Sequence, residues 1–333
     1  YRNNTLLFSP SLILYYFCTS LNNGYTNKFN KCFKLIIFLF QLYNSGIQFM
    51  NVVTIEAIFN STKEKVWQAI TDKEIMKIWY FDIPSFNLEV GADFSFYEGE
   101  KKEYLHTCKV LNFEENKLLQ HTWMHPEQSK GSSVLTWKID EVDEKVKVTL
   151  THEGLENFGD AGPAFAPENY EMGWNALVKT NLRNYLYGIK KLVFSVEINA
   201  TVDDVWNIMW DKNSYRNWVR PFCEGTYYTG EILQGNRIHF LNPNGSGMYS
   251  DVGYLVPNKL IIFSHLGNIS NFEEQPIDVE TEKWTGCFET YKYEEVDGNT
   301  VVTAEIDCVP EYVEYMNNTF PLALQELKNI SEN

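Results

Sequence analysis

The feature that most constrains this chain is a repeat. Asn60-Ser61-Thr62-Lys63-Glu64-Lys65-Val66-Trp67 is followed by Asp72 and Trp79. Asn199-Ala200-Thr201-Val202-Asp203-Asp204-Val205-Trp206 is followed by Asp211 and Trp218. Matching positions lie 139 residues apart. That period is far too long for a solenoid, so the chain reads as two homologous domains in tandem. The length agrees, since a domain takes roughly 150 residues.

Each copy has the same local logic. An apolar alternating run precedes it, Val53, Ile55, Ala57 and Phe59 in the first case and Val193, Val196 and Ile198 in the second. Alternation of that kind marks a strand. Ser61 with Glu64 fits a capping box, and Thr201 with Asp204 fits one shifted by a residue. Val66, Trp67 and Ile70, then Val205, Trp206 and Met209, move to helical spacing. Asp72 and Asp211 can cap a second short helix ending near the second Trp. Each domain therefore opens with a strand and two short helices.

The first domain is expected over residues 50–189. Phe86–Val90 and Ala92–Tyr97 read as strands joined at Gly91, and further alternating runs follow through His152. Asn116-Lys117 and Asp143-Glu144 mark turns. Sequential strands with short turns predict an antiparallel sheet. Residues 168–186 carry helical spacing through Tyr170, Trp174, Leu177, Val178 and Leu182. The second domain is expected over residues 190–333, almost without a linker, and ends in a helix from about Glu311 that contains Pro321.

Residues 1–49 differ from the rest. They hold four basic residues and no Asp or Glu, and their longest apolar run, Leu35 to Tyr43, is nine residues. A membrane span needs about 20. The segment reads as upstream translation or a disordered leader, with Met50 as the natural start, and it is set apart from the fold. The remaining chain has a formal charge of −20. An acidic body of that kind opposes binding to nucleic acid or to an anionic membrane surface. Six scattered cysteines, Cys18, Cys32, Cys108, Cys223, Cys287 and Cys308, form no CxxC pair. The last four, in the body of the chain, read as reduced and mostly core residues, which points to the cytoplasm.

Strand, two short helices, an antiparallel sheet and a long terminal helix resemble the helix-grip fold of the START and birch-pollen-allergen (SRPBCC) superfamily. The first domain also carries, in order, Leu118 to Trp123, Leu135-Thr-Trp137, Thr149-Leu-Thr-His-Glu-Gly154 and Gly173-Trp174. These motifs resemble the C-terminal-type domain of the heat-shock-protein-90 ATPase activator family. The second domain lacks the Thr-His-Glu-Gly and Gly-Trp motifs and resembles a divergent member of the superfamily. The resemblance implies an α+β protein of two helix-grip domains. In each, a curved antiparallel sheet wraps a long C-terminal helix, and a cavity lies between them. It implies no single activity, because members bind apolar molecules, cyclise polyketides or bind chaperones.

The alternation places His106, His121, His125 and His152 on inward faces of the first domain. His125, at a strand end beside Pro126, can instead be solvated. No HxH, HExxH or zinc-type Cys/His spacing accompanies them, so neither metal nor cofactor is expected. Trp79, Phe96, Trp123, Trp137 and Trp174 are the pocket candidates there, with His106 and His121. Their counterparts are Trp218, Phe240, Phe263 and Tyr291, and Glu289 falls on the same inward face. Aromatic walls with few polar groups suit a small apolar ligand. The expected function is therefore non-catalytic or weakly catalytic binding of such a ligand, one cavity per domain. The alternatives are a cyclase or dehydratase that uses an inward His or Glu289, and a chaperone-interacting module.

Overall fold

A computed structural model describes residues 52–98 and 102–333. The leader expected over residues 1–49 lies outside the described residues. The repeat builds the same corner twice. In the first domain β1 (Val53–Phe59) leads into α1 (Lys63–Thr71) and α2 (Lys73–Trp79). In the second, β7 (Lys190–Ile198) leads into α5 (Val202–Trp210) and α6 (Lys212–Trp218). Thr62 and Thr201 cap the first helix of each pair, accepting from Lys65 N–H and Asp204 N–H at 3.2 Å. The first cap is thus Thr62 and not Ser61, which restores the match between copies. Asp72 and Asp211 each accept two backbone N–H groups of the next helix. The Trp that ends each pair ties it shut. Trp79 Nε1 donates to Ala69 O at 2.9 Å, and Trp218 Nε1 donates to Met209 O at 3.0 Å.

The first sheet adds β2 (Asp93–Glu98), β3 (Tyr104–Glu114), β4 (Leu118–Trp123), β5 (Ser133–Val142) and β6 (Lys145–Glu153). Its order is β1-β6-β5-β4-β3-β2, antiparallel throughout. Asp143 and Glu144 both take positive φ, 49° and 63°, as a tight two-residue hairpin requires. Phe86–Val90 is not a strand. Asn87 instead turns toward Glu89, and its side chain donates to that carboxylate at 3.2 Å. The chain then crosses through two short helical turns to α3 (Pro167–Ala176), a π-helical turn (Leu177–Leu182) and α4 (Arg183–Tyr187). The π turn inserts extra backbone in mid-helix while keeping Val178 and Leu182 buried.

The second sheet adds β8 (Tyr227–Thr229), β9 (Arg237–Leu241), β10 (Gly247–Val256), β11 (Leu260–Ser270), β13 (Phe288–Val296) and β14 (Asn299–Cys308). Its order is β7-β14-β13-β11-β10-β9-β8, and the short β12 (Glu273–Glu274) pairs with β11. The inward face of β7 carries Leu192, Phe194, Val196 and Ile198; Val193, expected there, is exposed because it is out of phase with Val196 and Ile198. After α7 (Val279–Glu282) and the last two strands, α8 (Val313–Ser331) packs on β7, α5 and α6. Pro321 sits on its exposed side, where water can serve the carbonyl that a proline leaves unpaired.

The fold is therefore α+β, two helix-grip domains in series. They touch. Lys145 Nζ reaches both carboxylate oxygens of Glu282 at 2.9 and 2.8 Å. Arg183, buried, donates to Thr285 O and lies 3.4 Å from Cys287 Sγ. Among the described residues, no helix is long and apolar enough to cross a membrane.

Candidate functional site

Each sheet faces its helix across a different kind of space. In the first domain the inward faces of β3 and β4 meet α3 through aromatic rings. His106 stacks on Phe96 with ring centres 4.7 Å apart and planes 9° from parallel, and Phe96 stacks on Phe81 at 4.6 Å. Trp123 meets Trp174 edge-on at 5.2 Å, and Trp79 meets Trp137 edge-on at 6.2 Å. These rings leave one cavity of about 190 Å³, bounded by Glu98, Tyr104, His106, Trp123, His125, Phe165, Tyr170 and Trp174 among others. A second gap, beside Trp79, His121 and Trp137, is about 10 Å³, scarcely room for one water.

Each buried histidine of this domain makes at least one hydrogen bond, while Nδ1 of His106 and of His125 is buried without a partner among the described residues. Trp174 Nε1 donates to His152 Nδ1 at 3.0 Å, so the proton belongs on Nε2, which lies 2.7 Å from Ser133 Oγ. The Ser133 hydroxyl passes the chain on to Trp123 O at 3.2 Å. His121 Nδ1 donates to Thr122 O at 2.9 Å. His125 Nε2 receives Trp123 Nε1–H at 3.2 Å and meets Tyr170 Oη at 2.7 Å. Burial, the first cause in each case, lowers the His121 and His125 pKa to about 4 and that of His152 to about 3. All three are neutral at neutral pH and are weak bases there. His106 Nε2 contacts Glu98 at 3.1 Å, a bond that holds the Glu98 carboxyl below its ordinary pKa.

The second domain is more open. Between its sheet and α8 lies a cavity of about 610 Å³. Tyr215 and Trp218 from α6, Phe240 from β9, His265 from β11, Glu289 and Tyr291 from β13, and Met316 and Phe320 from α8 form its main walls. Cys223, Tyr312 and Tyr315 are exposed and stand at its edge, where Tyr315 Oη donates to Phe222 O at 2.8 Å. Cys287 and Cys308 also line it, and burial pushes their thiols up to about 12 and about 11, which leaves both protonated.

A polar chain centred on Glu289 enters this cavity, apart from the hydrogen-bonded Thr226, Asn242 and Ser246 on its wall. The Tyr291 hydroxyl donates to Glu289 Oε1, and His265 Nε2 lies 3.2 Å from Glu289 Oε2. His265 Nδ1 lies 2.8 Å from Ser250 Oγ on the far side. A neutral imidazole satisfies both contacts, with Nε2–H donating to the carboxylate and Nδ1 accepting from the hydroxyl. Ser250 is fully buried and does not line the cavity, whereas Glu289 does. The chain therefore presents a carboxylate to a ligand and keeps the hydroxyl behind it, the reverse of what a serine nucleophile needs. Burial first, and the charge of Glu289 second, raise the pKa of Tyr215 and Tyr291 well above the usual phenol value.

Comparison with known proteins places the first domain. Residues 60–187 match the family described as activator of Hsp90 ATPase homolog 1-like protein. The match spans most of the first domain and does not extend into the second. No curated protein matches the chain. Among solved structures, a protein from Mesorhizobium loti is 24% identical over 40% of this chain and 96% of its own, with a TM-score of 0.36. The Aha1 dimer from Colwellia psychrerythraea is 20% identical over 43% and 96%, with a TM-score of 0.35. A protein in the dynemicin biosynthetic locus is 13% identical over 84% and 99%, with a TM-score of 0.36. Likeness at these scores carries none of their activities across.

Within the first domain, the structure brings His106, Trp123 and Trp174 to the cavity wall. Trp79, Trp137 and His121 border only the small gap, and Phe96 is locked between Phe81 and His106. Alternation sends these rings inward, but it does not say whether a ring ends against a void or against another ring. His125 is buried against Tyr170 and Phe165, not solvated at a strand end. In the second domain Trp218, Phe240, Glu289 and Tyr291 line the cavity, while Phe263, fully buried, packs on Trp210 and Phe240 instead. His265 was missed although it shares the alternation of Ile261 and Phe263. Trp284 and Cys287 sit in an irregular stretch before β13, where no periodicity marks them.

Proposed function

We propose that this protein binds a small hydrophobic molecule in its second domain, between the sheet and α8, with 189/190 as the boundary between two folding units. One observation carries the reading: a 610 Å³ space walled mainly by aromatic and aliphatic side chains, with a polar minority that includes Asn242, Asn268, Glu289 and Asp307. Ligand pockets usually fall between about 300 and 1,000 Å³. The 190 Å³ space of the first domain falls below that range, so its role is structural, or it holds a much smaller guest. The test is titration with N-phenylnaphthylamine, a neutral dye that brightens in apolar surroundings, together with native mass spectrometry of the purified protein. Saturable binding of one dye per chain is expected. A protein that binds neither dye nor co-purifying ligand would overturn the reading.

A second reading is proton transfer to a bound molecule. It rests on Glu289, oriented by Tyr291 and His265 at the cavity wall. Contact with a chaperone is a third, and only the family match of the first domain supports it. Co-precipitation with the host's heat-shock chaperone separates it from the first two.

A further inference from the structure

Glu289 has a consequence for what the second cavity will accept, granted the apolar-ligand reading above. Its carboxylate has side-chain exposure of 22% and stands on the cavity wall. Tyr291 Oη and His265 Nε2 occupy one lone-pair site on each of its oxygens. A carboxylate offers about four such sites, so roughly two remain for a ligand. Asp307 also lines the cavity, and among the described residues that line it none is Lys or Arg. Arg183 stands behind Cys287, and four of its five N–H groups donate to Asn184 Oδ1, Thr285 O and Cys287 Sγ. The rest of the wall mixes aromatic rings, among them Tyr215, Trp218, Phe240 and Phe320, with aliphatic side chains and the uncharged polar Thr226, Asn242, Ser246 and Asn268.

Aromatic faces attract cations, and more strongly where water is excluded. A ligand that covers Glu289 without a donor strips water from a charge and returns nothing, and a neutral donor returns a hydrogen bond without neutralising the charge. An anionic ligand sets like charge against it. We propose that the second-domain cavity selects an apolar molecule bearing a protonated nitrogen, a lipophilic amine, with the ammonium placed against Glu289 and the apolar body against the aromatic wall.

The test is displacement of N-phenylnaphthylamine by three matched probes: naphthylmethylamine, naphthylmethanol and naphthoate. The amine should bind about tenfold tighter than the alcohol, and the acid should bind weakest. Bound amine should also shield Cys223, at the cavity edge, from alkylation, read by peptide mass spectrometry. Glu289→Gln should bring the ratio of amine to alcohol affinity to about one, and Glu289→Asp should retain the preference for amine. Equal binding of amine and alcohol by the wild type overturns the inference and leaves the apolar-ligand reading standing. So does a Gln variant that binds the alcohol and still prefers the amine. Should the Gln variant fail to fold, the ranking by the wild-type protein decides. Failure of dye and all three probes to bind overturns both.

Discussion

The two domains start from one repeat and end with different interiors. Both cap their helix pairs with Thr62 or Thr201 and with Asp72 or Asp211, and both lock the pair with Trp79 or Trp218. The first then closes over itself. Trp123, Trp137, Trp174 and four buried histidines fill the space between sheet and helix. The second places smaller or more peripheral side chains opposite its sheet, with Met316 and Phe320 from α8 meeting Tyr291 and Glu289 across open volume. The lesson is that shared caps and strand order set the frame, while side-chain volume on the facing surfaces decides whether that frame holds a guest.

Acid should separate the two halves most. Burial holds His121, His125 and His152 at pKa values of about 4, 4 and 3, below the ordinary 6.5. The unfolded chain therefore binds protons first as pH falls. Stability is unaffected above about pH 7 and declines below pH 6.5, at up to about 1.4 kcal/mol per pH unit for each histidine, until the folded values are reached. At about pH 5 the expected loss approaches 2 kcal/mol per histidine. Hydrogen exchange of β5 and β6 against β13 and β14, at matched intrinsic rates, should show the first domain opening earlier. Equal loss in both halves would break the comparison.

Truncation of a packed ring comes next. Trp137→Ala should cost about 3–5 kcal/mol in the first domain, as large-to-small changes in filled cores do. Urea unfolding measures it, and a cost below about 1 kcal/mol would mean that the interior is looser than its ring contacts indicate. In the second domain the opposite change is informative. Met316→Trp should fill the cavity, weaken N-phenylnaphthylamine at least about tenfold and leave stability nearly unchanged. Undiminished dye binding would place the dye elsewhere. The smallest effect is expected at the contact between domains. Lys145→Ala removes a partly exposed pair with Glu282, and such pairs contribute little. Global stability should stay within error while exchange rises locally in α7. A large global loss would mean that the two halves do not unfold independently.

Much of this was written in the order of residues. The repeat, the alternation of β3 to β6 and the positive-φ turn at Asp143-Glu144 follow from local chemistry, because caps, turns and strand faces depend on near neighbours. Trp218, Phe240, Glu289 and Tyr291 were legible as inward residues by the same rule, and His265 was within its reach. Phe86–Val90 was misread because its apolar side chains alternate without a partner strand to receive them. Ser61 was misread as a cap because Ser61 with Glu64 has capping-box spacing, whereas the helix begins one residue later and Thr62 accepts from Lys65 N–H.

What the sequence determined by itself is the frame: two α+β units, each opening with a strand and a locked helix pair and closing with a long helix. Only the tertiary structure decided which inward rings meet other rings and which face empty space. Periodicity fixes direction along one element, but a cavity is the volume left between elements distant in the chain, and that depends on every side chain facing it at once.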